Sequence, residues 1–225
     1  MFVSRSMTRK VITVSRQDSI FKAQELMVRH SIRHLPVVDD DNRLIGIVTD
    51  RDIRSALPYS FFKEGMAEAE KDKLSSLRVE DLMAQKVISI PPTYTIQDAL
   101  LMIQNSKVGA LPVVNDDGKL VGILSVRDLL RAFIHVLGIG QPGSLLCILV
   151  EEKVGQLKKI VDAITEEGVS FGSVLVARHW EKDKRVVFPY LLTQNVAHVK
   201  RKLQSMGYTL IDPMEWSLDQ LPGNE

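Results

Sequence analysis

Apolar and polar positions along the first two thirds of the chain switch between a helical period and a strand period in a fixed order. A short extended segment at residues 11–14 precedes an amphipathic helix at residues 19–29. Two apolar strands follow, residues 35–38 and 44–49, and a polar turn separates them. A second helix begins near Asp50. The order β-α-β-β-α predicts a small α/β unit.

The same order of elements occurs a second time without an insertion or a deletion. Three residues recur at a spacing of 76 positions, namely Met7 as Met83, Pro36 as Pro112 and Asp52 as Asp128. In the second copy the predicted helix and strands are residues 95–105, 111–114 and 120–125. Residues 59–78 between the copies are charged and favour helix, so we predict a linker helix there. We interpret this part of the chain as a tandem repeat of one unit.

Composition excludes several classes of function. The chain has 225 residues, of which 45% are hydrophobic and 25% charged, and its formal net charge is +1. It therefore lacks the basic field that would recruit nucleic acid or an anionic membrane. Its one cysteine, Cys147, lies in an apolar run and fits a reducing compartment. The first residues lack the apolar core of a signal peptide, and no apolar run reaches the ~20 residues of a membrane span. We expect a cytoplasmic protein.

The last third of the chain predicts a different arrangement. Residues 138–144 are rich in Gly and Pro and predict a flexible hinge. Beyond it the apolar periods predict β-α-β-β-α-β, the order of the ferredoxin-like fold. These elements cover residues 145–150, 155–167, 169–178, 186–193, 196–206 and 208–211. The spacing Gly138-x-Gly140-x-x-Gly143 matches a dinucleotide fingerprint as text, but it leads into a strand and not a helix, so we assign no cofactor to it.

Each repeat contains a motif that resembles a known family. The strand Leu35-Pro36-Val37-Val38, together with a Gly-x-x-Thr-x-x-Asp segment that ends at Asp52, resembles the CBS domain. Two such units in tandem, over residues 1–135, resemble a CBS pair, or Bateman module. This resemblance implies a non-catalytic regulatory sensor that binds an adenine nucleotide (AMP, ADP or ATP) between the repeats.

The carboxy-terminal third resembles the ACT domain, a module for small ligands and for subunit pairing. The resemblance rests on the β-α-β-β-α-β order and on the turn from the first strand into the first helix. It implies that Val154, Gly155 and Leu157 form a ligand loop. The fold class is therefore α/β and α+β, and the whole architecture is similar to that of acetoin-utilisation accessory proteins. The predicted boundaries are 1–58 and 79–137 for the CBS domains, 59–78 for the linker helix, 138–144 for the hinge, 145–213 for the ACT domain and 214–225 for a tail.

Two [Ser/Thr]-x-x-Asp motifs, one in each repeat, have two interpretations. The first is structural, since the hydroxyl of Thr49 or Ser125 would cap a helix and the carboxylate of Asp52 or Asp128 would complete the capping box. The second is functional, because a helix amino terminus with a hydroxyl suits a phosphate and a carboxylate one turn later suits two ribose hydroxyls. The resemblance to the CBS domain favours the second interpretation.

Further candidate nucleotide contacts follow from the same resemblance. They are Thr13, Arg33, His34, Arg51, Ser89 and Arg127. The second repeat has Gly109 and Ala110 at the positions of Arg33 and His34. We therefore expect the two sites to differ in their affinity for phosphate.

The sequence contains no recognisable motif of a catalytic site or of a metal centre. No nucleophile occupies an elbow or triad signature, so we predict no catalytic residues. His30 and His34 have the i,i+4 spacing of a chelating pair, but His34 should lie beyond the helix, and we predict no metal.

We expect a homodimer, because a ferredoxin-like domain exposes strand edges. The alternative function is an ACT-mediated interaction scaffold or amino-acid sensor, acting on a regulated enzyme, with empty CBS sites.

Overall fold

A computed structural model describes residues 1–57, 74, 76–181 and 183–211 of the chain. The molecule consists of two compact units, Met1–Leu130 and a second unit that begins at Arg131. Most of the predicted linker helix and the whole predicted tail lie outside the described residues.

The first repeat contains the predicted helix, strand, strand and helix. Helix α2 (Ile20–His30) begins after Ser19, whose hydroxyl accepts a hydrogen bond from the backbone N–H of Lys22. Strands β1 (His34–Val38) and β2 (Leu44–Thr49) form an antiparallel hairpin, and helix α3 (Asp50–Ala56) follows directly. The predicted extended start makes only a single parallel bridge to β1.

The second repeat has the same elements in the same register. Helix α5 (Ile96–Ser106) leads to the antiparallel pair β3 (Ala110–Val114) and β4 (Leu120–Ser125), and helix α6 (Val126–Leu137) follows. Helices α2 and α5 both end at a residue with left-handed backbone, Ser31 in the first case and Lys107 in the second.

Short segments ahead of each repeat cross over to the other repeat. Helix α1 (Val3–Ser6) belongs to the core of the second repeat, and helix α4 (Val79–Leu82) belongs to the core of the first. Backbone hydrogen bonds from Thr8 to Ile123 and from Ala84 to Ile47, each 2.9 Å, secure these segments on β4 and β2. The predicted boundary placed residues 1–8 in the first repeat, whereas in the structure most of these residues pack against the second repeat.

The two hairpins meet at their turns. The N–H of Leu44 donates to the carbonyl of Gly118 (3.2 Å), and the N–H of Leu120 donates to the carbonyl of Asn42 (3.0 Å). These are the same two positions in the two copies, so the repeats are related by an internal pseudo-twofold axis.

The second unit contains the predicted β-α-β-β-α-β order. Its elements are strands β5 (Ser144–Leu145), β6 (Cys147–Glu151), β7 (Phe171–Glu181), β8 (Lys184–Leu191) and β9 (Thr209–Ile211), with helices α7 (Gln156–Glu166) and α8 (Ala197–Ser205). The antiparallel strand order is β9-β6-β8-β7, and the short β5 pairs with β8 ahead of β6. Both helices share one buried cluster with β6 and β8. This element order is that of the ferredoxin-like fold.

The predicted flexible hinge is packed against this sheet. A side chain added at Gly143 would overlap the backbone of Leu191, and one at Gly138 would come within 3.0 Å of Gly172. The hydroxyl of Tyr190 donates to the carbonyl of Gln141. Residues of the predicted hinge therefore contact strands that are distant in the sequence, which composition does not register, and the flexibility of this segment stays a prediction.

Candidate functional site

The two [Ser/Thr]-x-x-Asp motifs form complete capping boxes. The hydroxyl of Thr49 donates to Oδ2 of Asp52 (2.7 Å) and accepts from the N–H of Asp52 (3.3 Å), while the N–H of Thr49 donates to the same carboxylate (2.8 Å). Ser125 and Asp128 make the same three hydrogen bonds, at 2.6, 3.3 and 2.9 Å. The structural interpretation of these motifs therefore holds at both positions, and each carboxylate uses one oxygen for its cap.

The second carboxylate oxygen differs between the two repeats. Oδ1 of Asp128 accepts a hydrogen bond from the hydroxyl of Thr8 (3.3 Å), and Asp128 is only 6% exposed. The equivalent of Thr8 in the other copy is Ala84, which has no hydroxyl. Oδ1 of Asp52 receives no hydrogen bond from any described side chain, and Asp52 is half-buried. Sequence reasoning missed Thr8, although comparing positions 76 residues apart would have found it.

A third capping box shows that this geometry does not mark a site by itself. Thr95 and Asp98, at the start of α5, make the same hydrogen bonds, at 2.6, 3.2 and 2.8 Å. The cap hydrogen bonds hold the pKa of Asp98 below its usual value. The functional interpretation of the motifs at Asp52 and Asp128 therefore cannot rest on the cap alone.

The region between the repeats separates the two interpretations better. The imidazole of His34 packs against Gly109, where an added Cβ would lie 2.7 Å from Nε2 of His34. The carbonyl of Arg33 accepts from the N–H of Asp50 (3.0 Å), and the carbonyl of Gly109 accepts from the N–H of Val126 (3.2 Å). The contact between His34 and Gly109 therefore joins the chain at the starts of β1 and β3, and the two carbonyls accept hydrogen bonds from the first residues of α3 and α6, the helices that carry the capping carboxylates.

Electrostatics at this contact is dominated by burial. Desolvation lowers the pKa of His34 below 6.5, the charge of Arg33 lowers it further, and the carboxylate of Asp52 acts in the opposite direction. Arg33 itself is exposed. The absence of a basic residue at Gly109 has a packing reason, because a larger side chain there would displace His34.

Comparison with known proteins identifies this arrangement. Residues 3–59 and residues 79–135 each match the family model of the CBS domain. The chain belongs to the CBS-domain family. Together the two ranges cover about half of the chain, and they correspond to the two repeats of the first unit, so the predicted tandem CBS pair is confirmed.

Relatives of the CBS pair occur both alone and inside enzymes. A CBS domain-containing protein from Dictyostelium discoideum is 33% identical over 137 residues, which cover 61% of this chain and 94% of that protein. An inosine-5'-monophosphate dehydrogenase from Methanocaldococcus jannaschii is 33% identical over 123 residues, which cover 55% of this chain and 22% of the enzyme. The chain thus matches only about a fifth of that enzyme's length.

The solved structures that are similar to this chain include CBSX2 and an AcuB protein. CBSX2, crystallised in complex with AMP, is 31% identical with a TM-score of 0.50, and the match covers 59% of this chain and 96% of CBSX2. An acetoin utilization protein (AcuB) from Vibrio cholerae is 28% identical with a TM-score of 0.52, and the match covers 62% of this chain and 95% of AcuB.

The remaining predicted contacts of the CBS pair are not joined to the carboxylates by hydrogen bonds. Thr13 and Ser89 are partly buried directly before the bridges to β1 and β3, while Arg51 and Arg127 are exposed on the first turns of α3 and α6. Within the described residues no side-chain hydrogen bond connects these four residues to the carboxylates of the two caps.

The predicted ligand loop of the second unit lines a cavity. Val154, Gly155 and Leu157 all lie on the wall of a cavity of about 360 Å³ at the start of α7. Gly155 caps α7 with φ of +93°, and an added Cβ would meet nothing within 4 Å. The backbone conformation, and not close contact, is therefore the reason for glycine at this position.

No group of three or more His, Cys, Asp or Glu side chains in the described part of the chain could hold a metal ion. His30 and His34 are separated by the end of α2, which stops at His30. Burial raises the pKa of the Cys147 thiol. Among the described helices, none combines the length and the apolar character needed to cross a membrane.

Proposed function

We propose that the CBS pair binds an adenine nucleotide (AMP, ADP or ATP) as a regulatory ligand in the cleft between its two repeats. The observation that carries this proposal is the contact of His34 with Gly109, because the backbone beside it accepts hydrogen bonds from the first residues of both α3 and α6. The similarity to CBSX2, crystallised with AMP, supports the choice of ligand. In this proposal the chain itself is a sensor and not an enzyme, and it acts in the cytoplasm.

The roles of the residues follow from their chemistry. The hydroxyls of Thr49 and Ser125 and the adjacent backbone N–H groups would hold phosphate, as helix amino termini do. The carboxylates of Asp52 and Asp128 would accept the ribose hydroxyls. The cationic residues Arg33, Arg51 and Arg127 would neutralise phosphate charge, and His34 would contribute a hydrogen bond from its neutral imidazole. Thr13 and Ser89 would contact the base or ribose from the leading segments.

The two sites should have different affinities. Oδ1 of Asp52 is available for a ribose hydroxyl, whereas Oδ1 of Asp128 already accepts from Thr8. The basic residues Arg33 and His34 also belong to the first repeat. We therefore assign the tighter, more phosphate-dependent site to Asp52, and the weaker one to Asp128.

Signalling requires only that the nucleotide bind two arrangements of the repeats with different affinity. We propose that these arrangements differ within a homodimer, and that the second unit, as an ACT domain, transmits the change or binds its own ligand, an amino acid in the simplest case. A regulated enzyme would be the recipient. The similarity to AcuB gives acetoin utilization as the pathway to examine first.

Calorimetric titration of AMP, ADP and ATP into the wild type, Asp52→Ala and Asp128→Ala tests the nucleotide site. We expect Asp52→Ala to weaken binding by about tenfold or more, since an unpaired ribose hydroxyl pair loses roughly 1.5–3 kcal/mol at a charged acceptor. A smaller loss is expected for Asp128→Ala. Arg33→Ala should reduce the preference for ATP over AMP.

Asp98→Ala is the matched control, because it removes a capping box of the same geometry away from the cleft. Without ligand, all three substitutions should lower the melting temperature. Nucleotide at a hundred times its dissociation constant should raise the free energy of unfolding by about 2.7 kcal/mol, and only in the variants that still bind it. If Asp52→Ala and Asp128→Ala titrate like Asp98→Ala, the motifs are caps alone and the sensor proposal fails.

A second candidate function is an interaction scaffold or amino-acid sensor with unoccupied CBS sites. The cavity beside Gly155 favours it, because that cavity is independent of the CBS pair. A thermal-shift screen separates the two functions. Nucleotides would raise the melting temperature of a nucleotide sensor. In the second function nucleotides would have no effect, and either amino acids would raise the melting temperature or no tested ligand would.

A further inference from the structure

The cavity of the second unit lies on the helix-covered face of the sheet. Val150 of β6 and Val187 of β8, both on its wall, also belong to the buried cluster under α7 and α8. Val176 of β7 and Leu157 of α7 complete an apolar lining. The volume of about 360 Å³ lies within the usual range for a small-molecule site.

Three cationic side chains stand on the wall of this cavity. Arg185 and Arg178 extend from β8 and β7, and Lys153 precedes α7. Nε of Arg185 is closed off from solvent and has no hydrogen-bond partner among the residues that the structure describes, although about a third of the side chain is exposed. Buried polar groups in folded proteins nearly always have partners, so this donor needs an explanation.

The carboxylates near the cavity are already engaged. Glu151 forms an ion pair with Lys153 (2.6 Å), and Glu152 forms one with the guanidinium of Arg185. Arg178 has no ion-pair or hydrogen-bond partner within the described part of the chain. Among the described side chains, two acidic and three basic ones therefore leave an excess of positive charge at the cavity.

This distribution of charge selects the class of ligand. A carboxylate would receive the unpaired Nε–H and a second N–H of Arg185 as a two-point contact, for which guanidinium has the matching geometry. Reaching Nε requires the guanidinium to turn toward the cavity, where the ligand would compete with Glu152. A ligand with an ammonium group would be disfavoured. Both carboxylates described near the cavity already form ion pairs, and the positive charge of Arg178 would repel the ammonium group.

We propose that this cavity binds a small aliphatic carboxylate that has no amino group. The carboxylate contacts Arg185 and lies near Arg178, and the aliphatic end packs on Val150, Val176 and Val187. The proposal is independent of nucleotide binding by the CBS pair, and it differs from the amino-acid ligand that the ACT resemblance implies.

Titration calorimetry on the full chain tests the proposal with three related probes. 4-Methylpentanoate carries the carboxylate and the branched chain, L-leucine adds an ammonium group, and 3-methylbutan-1-amine keeps the chain and the amine but lacks the carboxylate. We expect 4-methylpentanoate to bind about tenfold more tightly than L-leucine, and the amine to give no binding. Equal or tighter binding of L-leucine, or no binding of 4-methylpentanoate at millimolar concentration, overturns the proposal.

Two variants and one control locate the contact. Arg185→Gln should abolish the preference for the carboxylate and weaken its binding by about tenfold or more. Arg178→Gln, at an exposed position, should weaken it less, and it keeps the test valid if Arg185→Gln does not fold. Arg201→Gln on α8 removes an exposed arginine away from the cavity and should leave binding unchanged. Wild-type affinity in both cavity variants contradicts the proposal.

Discussion

The two CBS repeats have the same hairpin register but different side chains where they meet. In both, the hairpin register is the same and the irregularity falls at the same place, between Val37 and Val38 and between Val113 and Val114. Across the pseudo-twofold axis, however, His34 contacts Gly109, whose equivalent in the first repeat is Arg33, and any side chain at position 109 would overlap the imidazole of His34. Duplication therefore preserves caps and strands, while crowding near the axis forces the two sites to differ.

The crossed segments show a second difference between the repeats. Met7 is buried in the second repeat, whereas its equivalent Met83 is only partly buried against the first. Thr8 adds a hydrogen bond to Asp128 that Ala84 cannot supply to Asp52. The crossing segment thus makes more contacts with the second repeat than its equivalent makes with the first. The carboxylate of Asp52 in the first repeat therefore keeps one oxygen without a hydrogen bond from that segment.

The largest expected effect is on stability. Met7→Ala should lower the free energy of unfolding by about 2–5 kcal/mol, since it removes a buried side chain from the core of the second repeat. Met83→Ala should cost less because that side chain is partly exposed. Urea denaturation followed by circular dichroism measures both, with Met206→Ala at an exposed position as the control. Equal midpoints for Met7→Ala and Met206→Ala would show that the crossing does not stabilise the fold.

An intermediate effect is expected on subunit association. Helix α6 exposes an apolar stripe that includes Leu130 (59% exposed) and Ile134 (49%), whereas the first repeat has Arg54, paired with Asp50, at the position of Leu130. We expect the stripe to pair with its own copy about a twofold axis in the proposed homodimer.

Light scattering tests this pairing. Leu130→Arg, which gives α6 the residue of α3, should reduce the mass from that of a dimer to that of one chain, 25.3 kDa. Arg54→Leu is the reciprocal control and should leave the dimer intact. A wild-type mass of one chain, unchanged with concentration, contradicts both the dimer and this interface.

The smallest expected effect is a dependence of stability on pH. Because burial lowers the pKa of His34 in the folded state, the neutral imidazole contributes stability that is present above the ordinary value of 6.5 and is lost as the pH falls through the folded pKa. Melting temperatures between about pH 8 and pH 5 should therefore fall more steeply for the wild type than for His34→Gln. His30→Gln, at an exposed position of the same repeat, should behave like the wild type. Parallel curves for wild type and His34→Gln would show that protonation at this contact has no effect on folding.

The sequence alone determined the elements of both repeats and their family. Helix α2, the two hairpins and the capping boxes at Asp52 and Asp128 depend on contacts between residues close in the chain, so periodicity and short spacings predict them. The β-α-β-β-α-β order of the second unit was predictable for the same reason, while its assignment as an ACT domain and the roles of the site residues stay predictions.

Only the tertiary structure decided which distant residues meet. The crossing of Met7 to the second repeat, the contact of His34 with Gly109 and the packing of Gly143 on β8 join positions tens of residues apart. The position of Nε of Arg185 likewise depends on a cavity lined by three strands and a helix. Such contacts depend on the shape and burial of whole elements. A local pattern of apolar and polar residues predicts that a side chain is buried, but it does not predict which distant residue packs against it.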